Sequence, residues 1–375
     1  MMKIAIEAQR IFRKNKHGMD FVALEVIKQL QKADHVNQYY ILVAPGEDIC
    51  LKSSNNMQVI EVKCPTYVLW EQVALPCALR KIKPDLLHCT SNTAPIFCHI
   101  PLILTLHDII FLEKRPTGNK SIYQNIGWYY RRIVVPMILP KCKKIITVSH
   151  FECKRITESL HLNPEQLIAI YNGYGSYFKP VSNYQETTKK YIDQNEYLFF
   201  LGNTDPKKNT IGTLKAYKIY TEQSVDLVPL LIADLDQTYV NQMLKDNDLE
   251  SIKSYLIFPG YIANSDLPAI YSGARAFLYT SFRESFGIPI LEAMACGTPV
   301  ITSNTSSMPE VAGEGAILID PRDEQAIAKA IIHLEEDAEY YERQVAYGLE
   351  RVKKFSWENT AKSTLEIYSS EYDKL

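Results

Sequence analysis

The stretch Thr280-Ser-Phe-Arg-Glu-Ser-Phe-Gly-Ile-Pro-Ile-Leu-Glu-Ala-Met-Ala-Cys-Gly-Thr-Pro-Val300 reads as a loop that opens a helix. Pro289 suits a first helical turn, where its missing N–H would have no partner. Gly297 and Pro299 end the helix. The amides of Phe286, Gly287 and Ile288 are then left at a helix N-terminus, which favours an anion. Glu284 stands before that turn and Glu292 follows eight residues later. Amides can hold a phosphate and carboxylates can accept hydroxyl donors. The segment therefore carries the groups needed to hold a sugar nucleotide.

Outward from this segment, short apolar strands alternate with helices. Residues 2–8, 39–44, 85–88, 101–107, 144–148 and 168–171 read as strands, and a helix starts near Asp20 with Phe21, Leu24, Ile27 and Leu30 on its apolar side. A polar stretch, 179–195, interrupts the pattern. It resumes with strands at 197–202, 228–233, 255–259, 276–280 and 316–319, and with helices at 267–273 and 288–296. Such alternation predicts an α/β chain of two doubly wound parallel sheets. A length of 375 residues fits two domains. The expected division is 1–179, 180–356 and a C-terminal amphipathic helix over 357–375. Open parallel sheets bind ligands beyond the carboxyl ends of their strands, so a cleft between the two domains is the expected site.

Composition narrows the class. Hydrophobic content of 46% and charged content of 22% are those of a globular protein. No run of 18 apolar residues suggests a membrane span. The opening Met-Met-Lys-Ile-Ala-Ile-Glu reads as a strand and not a signal peptide. Eight Cys with no Cys-x-x-Cys pair read as buried thiols in a reducing cytoplasm. No His-x-x-x-His pair supports a zinc site, and no metal is expected. Asp234-Leu-Asp236 is an Asp-x-Asp pair, and it directly follows an apolar strand. Of the 41 Lys and Arg and 43 Asp and Glu, the first 179 residues hold 23 and 14, leaving 18 and 29 for the rest. A basic first half suggests an anionic partner.

The segment from Thr280, continued through Ala293-Met-Ala-Cys-Gly-Thr-Pro-Val-Ile-Thr-Ser-Asn304 to Pro309-Glu310, resembles the donor-site signature of retaining glycosyltransferases of family four, with the GT-B fold. That resemblance implies two Rossmann-like domains facing across a cleft, with the C-terminal helix crossing back to the first domain. It implies transfer of a sugar, mannose-like or rhamnose-like by the Asp-Pro-Lys-Lys-Asn loop and the Leu-His-Asp turn, from a nucleoside-diphosphate donor to a glycan or lipid-linked glycan. No further cofactor is implied. Glu292 would hold the ribose hydroxyls and Glu284 those of the transferred sugar. Ser285, Phe286, Gly287 and Ile288 complete the donor loop. Lys208 aligns with the family's lysine at the diphosphate. Asn203 stands where many members carry Arg, which leaves the second charge to Lys207. Gly260-Tyr261 resembles the segment against the base, Gly18 the loop glycine at the diphosphate, and His107 the histidine near the sugar.

Lys114-Arg115, Arg131-Arg132 and Lys141, Lys143 and Lys144 bracket aromatic residues around Trp128. They fit either an anionic lipid surface or a core helix with basic ends. No nucleic-acid reader motif is present. Two other readings stay open: a sugar-nucleotide epimerase of the same fold, and an inactive paralogue in a synthase complex.

Overall fold

In the computed structural model, which describes residues 1–113 and 122–374, the strands form two parallel sheets. Strands β1 (Lys3–Glu7), β2 (Gln38–Val43), β3 (Met57–Glu61), β4 (Leu86–Cys89), β5 (Leu102–Thr105), β6 (Cys142–Thr147) and β7 (Leu167–Ala169) lie in the order β3-β2-β1-β4-β5-β6-β7. Strands β8 (Tyr197–Leu201), β9 (Leu230–Ala233), β10 (Leu256–Ile257), β11 (Ala274–Tyr279), β12 (Val300–Ser303) and β13 (Ile317–Ile319) lie in the order β10-β9-β8-β11-β12-β13. Central strands such as β4, β5 and β9 are buried at every position, as sheets covered by helices on both faces require. Each sheet starts near its centre, winds outward, and resumes on the other side of its first strand. The reversals fall between β1 and β4 and between β8 and β11, the points where doubly wound folds leave a crevice.

Two compact units result. One is Met1–Gly173 together with the chain from Trp357 onward; the other is Tyr174–Ser356. The change of unit falls six residues before the expected 179. Beyond Gly173 the chain is already tied to the second unit. The Phe178 ring meets Tyr271 at 6.0 Å, and the Val181 N–H donates to Ser272 Oγ at 3.0 Å. The helix Trp357–Tyr372 belongs to the first unit, where Tyr368 bonds His88 and the Thr360 hydroxyl donates to the Tyr171 carbonyl at 2.7 Å.

Three details depart from the sequence reading. Strands β3 and β12 were not anticipated. Strand β3 is an edge strand whose pattern is half exposed, so it lacks an apolar run. Of the eight thiols only Cys89, Cys142 and Cys296 are buried, and Cys77 is exposed. The helix Leu75–Ile82 buries Leu75 and Leu79, one turn apart, which leaves Cys77 on its outer side. Among the described residues no helix is long and apolar enough to cross a membrane.

Candidate functional site

In the second unit, adjacency of β8 and β11 brings the loops that follow them together. The Phe282 N–H donates to the Lys207 carbonyl at 2.7 Å. Asn209, held in a left-handed conformation, donates its side-chain amide to the carbonyls of Thr280 and Pro321 at 3.1 and 2.7 Å. Thr213 and Thr280 share a hydroxyl contact of 2.5 Å. These bonds hold the short turn Pro206–Lys208 against the turn before the helix Ile288–Ala295. The result is an ion pair: Lys208 Nζ lies 2.6 Å from Glu284 Oε1, both side chains only partly exposed. Lys207 is not drawn in; its Nζ lies 3.9 Å from Asp205. Asn203 is exposed and its Oδ1 accepts the Asp205 N–H at 2.8 Å.

Gly287 sits before the first helical residue, Ile288, at φ 105°, where a side chain would be strained. Pro289 occupies the first turn and Gly297, at φ 79°, follows the helix. The carbonyls of this loop are held by hydroxyls of the chain that follows β12. Ser306 and Ser307 hydroxyls donate to the Glu284 carbonyl at 3.0 and 2.9 Å, and Ser307 also reaches that of Phe286 at 3.0 Å. Phe286 is buried, its ring 6.0 Å from Phe355, and Ser285 is partly buried.

Glu292, on the helix, accepts the Tyr271 hydroxyl at 3.4 Å. Burial pushes its carboxyl up to about 7, and the Tyr271 bond only partly opposes this. Tyr279, at the end of β11, lies near both carboxylates. Burial first, then Glu284 and Glu292, push its hydroxyl well above the ordinary range, so it remains a donor. Lys208 Nζ also lies 5.5 Å from the Tyr279 ring centre. Two carboxylates, one cation and two tyrosine donors thus gather at one end of β8 and β11. Tyr261 follows β10 and Gly260, and is 74% exposed. Asp236 of the Asp-x-Asp pair caps the helix Gln237–Asp246, accepting the N–H groups of Thr238 and Tyr239.

In the first unit, Gly18 opens the helix Gly18–Ala33 and is exposed; an added Cβ would meet nothing within 4 Å. His107 follows β5 and is buried. Its Nε2 lies 3.0 Å from the Thr90 carbonyl, and burial holds the ring pKa below its ordinary value. Near the end of β1, sequence reasoning missed a buried carboxylate. Glu71 lies in the π-helical turn Trp70–Ala74 and accepts from Tyr67 at 2.9 Å, Thr93 at 2.6 Å, Gln72 at 3.1 Å and Tyr130. Arg10 lies over the Tyr67 ring at 4.9 Å. A π-turn leaves no periodic signal in a sequence, although such turns recur at functional sites.

The basic clusters divide. Lys114-Arg115 lie outside the described residues. The Arg132 guanidinium stacks on Trp128 at 4.5 Å and donates to the Phe111 carbonyl at 3.2 Å; Lys141 and Lys144 donate to the carbonyls of Ile96 and Glu165. Beside them the helix Ile122–Ile138 exposes Ile126, Tyr129, Ile133 and Met137, residues three or four apart and so on one side.

Residues 185–351 match the family described as Glycosyl transferases group 1, and residues 17–174 match Glycosyltransferase Family 4. The O-antigen chain mannosyltransferase B of Escherichia coli is 34% identical over 236 residues, which cover 61% of each chain. The present chain thus spans less than two thirds of that relative. A solved structure of sucrose-phosphate synthase from Thermosynechococcus elongatus shares the fold, with a TM-score of 0.77 at 20% identity over 100% of both chains. So does Anabaena HepE in complex with UDP and glucose, with a TM-score of 0.73 at 18% identity over 99% of this chain and 100% of that one.

Proposed function

We propose that this chain, a GT-B glycosyltransferase by the two families that its halves match, moves a sugar from a nucleoside-diphosphate donor to a hydroxyl acceptor with retention of configuration. The observation that carries the reading is the Lys208–Glu284 pair beside Glu292 at the point where the second sheet reverses. Lys208 neutralises the charge that builds on the departing diphosphate, which lowers the barrier in a fixed site. Glu292 accepts the ribose hydroxyls. Glu284 accepts hydroxyls of the transferred sugar and holds Lys208 in place until the donor arrives. His107 acts on the sugar, and Gly260-Tyr261 lies against the base. The new bond forms between the acceptor oxygen and the anomeric carbon as the bond to the phosphate oxygen breaks. The acceptor proton passes to the departing phosphate. In this reading Lys208 supplies the positive charge at the diphosphate and no metal ion is required.

The relative at 34% identity is named for mannose transfer to an O-antigen chain, so we assign a mannose-like sugar and a polysaccharide or lipid-linked glycan acceptor. We further assign a peripheral contact with an anionic membrane surface on the cytoplasmic side, supported by the basic first half and the exposed stripe Ile126, Tyr129, Ile133 and Met137. Apolar side chains flanked by Lys and Arg suit such a surface.

A thermal-shift screen of nucleoside diphosphates tests the donor site, because a ligand that binds the folded state raises its melting temperature by mass action. A stabilising nucleoside diphosphate is expected; no shift with any of them would sink the assignment. Proton NMR of the product then reads the anomeric configuration, and inversion would refute retention. A free epimerised sugar formed without any acceptor would point to the epimerase reading instead.

A further inference from the structure

We propose that Asn92 is a positioning residue for His107, fixing both the backbone that enters it and, through its own loop, which ring nitrogen carries the hydrogen. This rests on the role proposed for His107 above. After β4 the chain runs Thr90-Ser91-Asn92-Thr93, every residue buried. Asn92 takes φ 66°, a left-handed conformation that Asn tolerates better than most residues with a side chain. In that conformation its N–H donates to the Thr105 carbonyl at 3.2 Å, which ties the loop to the end of β5.

The β5–β6 ladder continues through Leu106, whose N–H reaches the Ile146 carbonyl at 2.8 Å. The amide of His107 is the next one along the chain. Asn92 Oδ1 receives it at 2.7 Å, inside the protein. A buried amide left without a partner is costly, so this bond sets the plane of the peptide between Leu106 and His107. Two residues earlier in the same loop, the Thr90 carbonyl lies 3.0 Å from His107 Nε2. A carbonyl only accepts, so Nε2 carries the hydrogen. In the neutral ring Nδ1 is then the acceptor. Burial favours the neutral ring. One loop thus holds the histidine by its backbone and by its ring. Glycine would allow the same φ without the carboxamide oxygen, so the choice of Asn at this position adds one acceptor to a turn that glycine could make.

Two substitutions separate the backbone from the acceptor. Asn92→Gly keeps the left-handed turn and removes Oδ1. Asn92→Asp keeps an oxygen at the same place. With histidine-selective ¹⁵N labelling, the wild type and Asn92→Asp should show His107 as the single Nε2–H tautomer. Asn92→Gly should show averaged shifts of a mixed or mobile ring. In steady-state kinetics Asn92→Gly should lose at least about tenfold in kcat with the donor KM changed less than about twofold. Identical His107 shifts in all three proteins, or wild-type kcat in Asn92→Gly, would overturn the proposal. Nucleoside diphosphate binding, measured by calorimetry on the wild type, tests the proposed function separately. Its failure would sink the donor site while leaving the His107 shifts readable.

Discussion

The donor role proposed for Glu292 would make binding depend on pH. Its carboxyl is pushed up to about 7 by burial, with Tyr271 as a weak partner at 3.4 Å. Near pH 7 about half of the ligand-free protein therefore carries it protonated. A ribose diol donates two hydrogen bonds, and only the ionised carboxylate accepts both without giving up an oxygen to its own proton. Binding should draw the group to its charged form and release about half a proton at pH 7. For a group of pKa about 7 that must ionise to bind, the apparent affinity falls about tenfold between pH 8 and pH 6, about 1.4 kcal/mol. Glu292→Gln removes this dependence. It also weakens binding about 10- to 100-fold, because a hydrogen bond to a charged group contributes about 1.5–3 kcal/mol. The assay is isothermal calorimetry of a nucleoside diphosphate from pH 6 to 8 in buffers of different ionisation enthalpy. The ligand's own phosphate titrates with a pKa near 6, but equally for both proteins, so the difference between them isolates Glu292. Equal pH slopes in wild type and Glu292→Gln would refute the reasoning, and equal affinities would refute the ribose role.

The same carboxylate bears on stability. Its folded pKa lies above the unfolded value of 4.5, so its contribution is fully present below about pH 4.5 and is lost as pH rises through about 7. Glu292→Gln should then melt higher than the wild type at pH 8, by a few degrees for about 1–3 kcal/mol, with the gap closing toward pH 5; a gap independent of pH in scanning calorimetry would contradict this. Glu284→Gln and Lys208→Ala should lower kcat more than donor affinity, because their contacts strengthen as charge separates; wild-type turnover with only a raised KM in steady-state kinetics would remove that residue from the chemistry. Co-sedimentation with anionic vesicles should occur at low salt, fall away by about 0.5 M salt as screening shortens, and weaken in Arg131→Glu with Ile133→Glu. Equal sedimentation with neutral vesicles, or none at any salt, would argue for a soluble acceptor.

Much of the second unit was legible because the loop and helix over 280–300 are a local matter. Gly287, Pro289 and Gly297 mark a turn, a helix start and a helix end within one segment, and each does so for a backbone reason that does not depend on distant residues. The meeting of Lys208 with Glu284 was accessible only by resemblance, since it depends on β8 and β11 being neighbours. Tyr271 and Tyr279 were missed because a buried tyrosine in an apolar run reads as core until its hydroxyl is seen to reach a carboxylate. Glu71 was missed for a stronger reason. Its donors come from residues 67, 72, 93 and 130, and no spacing rule connects them. Charge counting was a blunt guide. It left open whether Arg132, Lys141 and Lys144 meet a lipid surface or end a core helix; Arg132 and Lys141 are exposed, and each of the three also donates to a backbone carbonyl of its own unit.

The bond between His88 and Tyr368 spans 280 positions of the chain, at 2.6 Å, and the second nitrogen of His88 meets the Thr105 hydroxyl at 2.7 Å. During synthesis His88 emerges early, and Tyr368 emerges only after all of Tyr174–Ser356. At about 5–20 residues per second this leaves the first sheet without its covering helix for roughly 10–40 s. Throughout that interval one face of the nascent first unit, including Ile27 and Ile6, has no helix from residue 357 onward to shield it. The second unit is contiguous and can close as soon as it clears the ribosome. The order of folding should therefore run against the order of translation, with the unit made first being completed last.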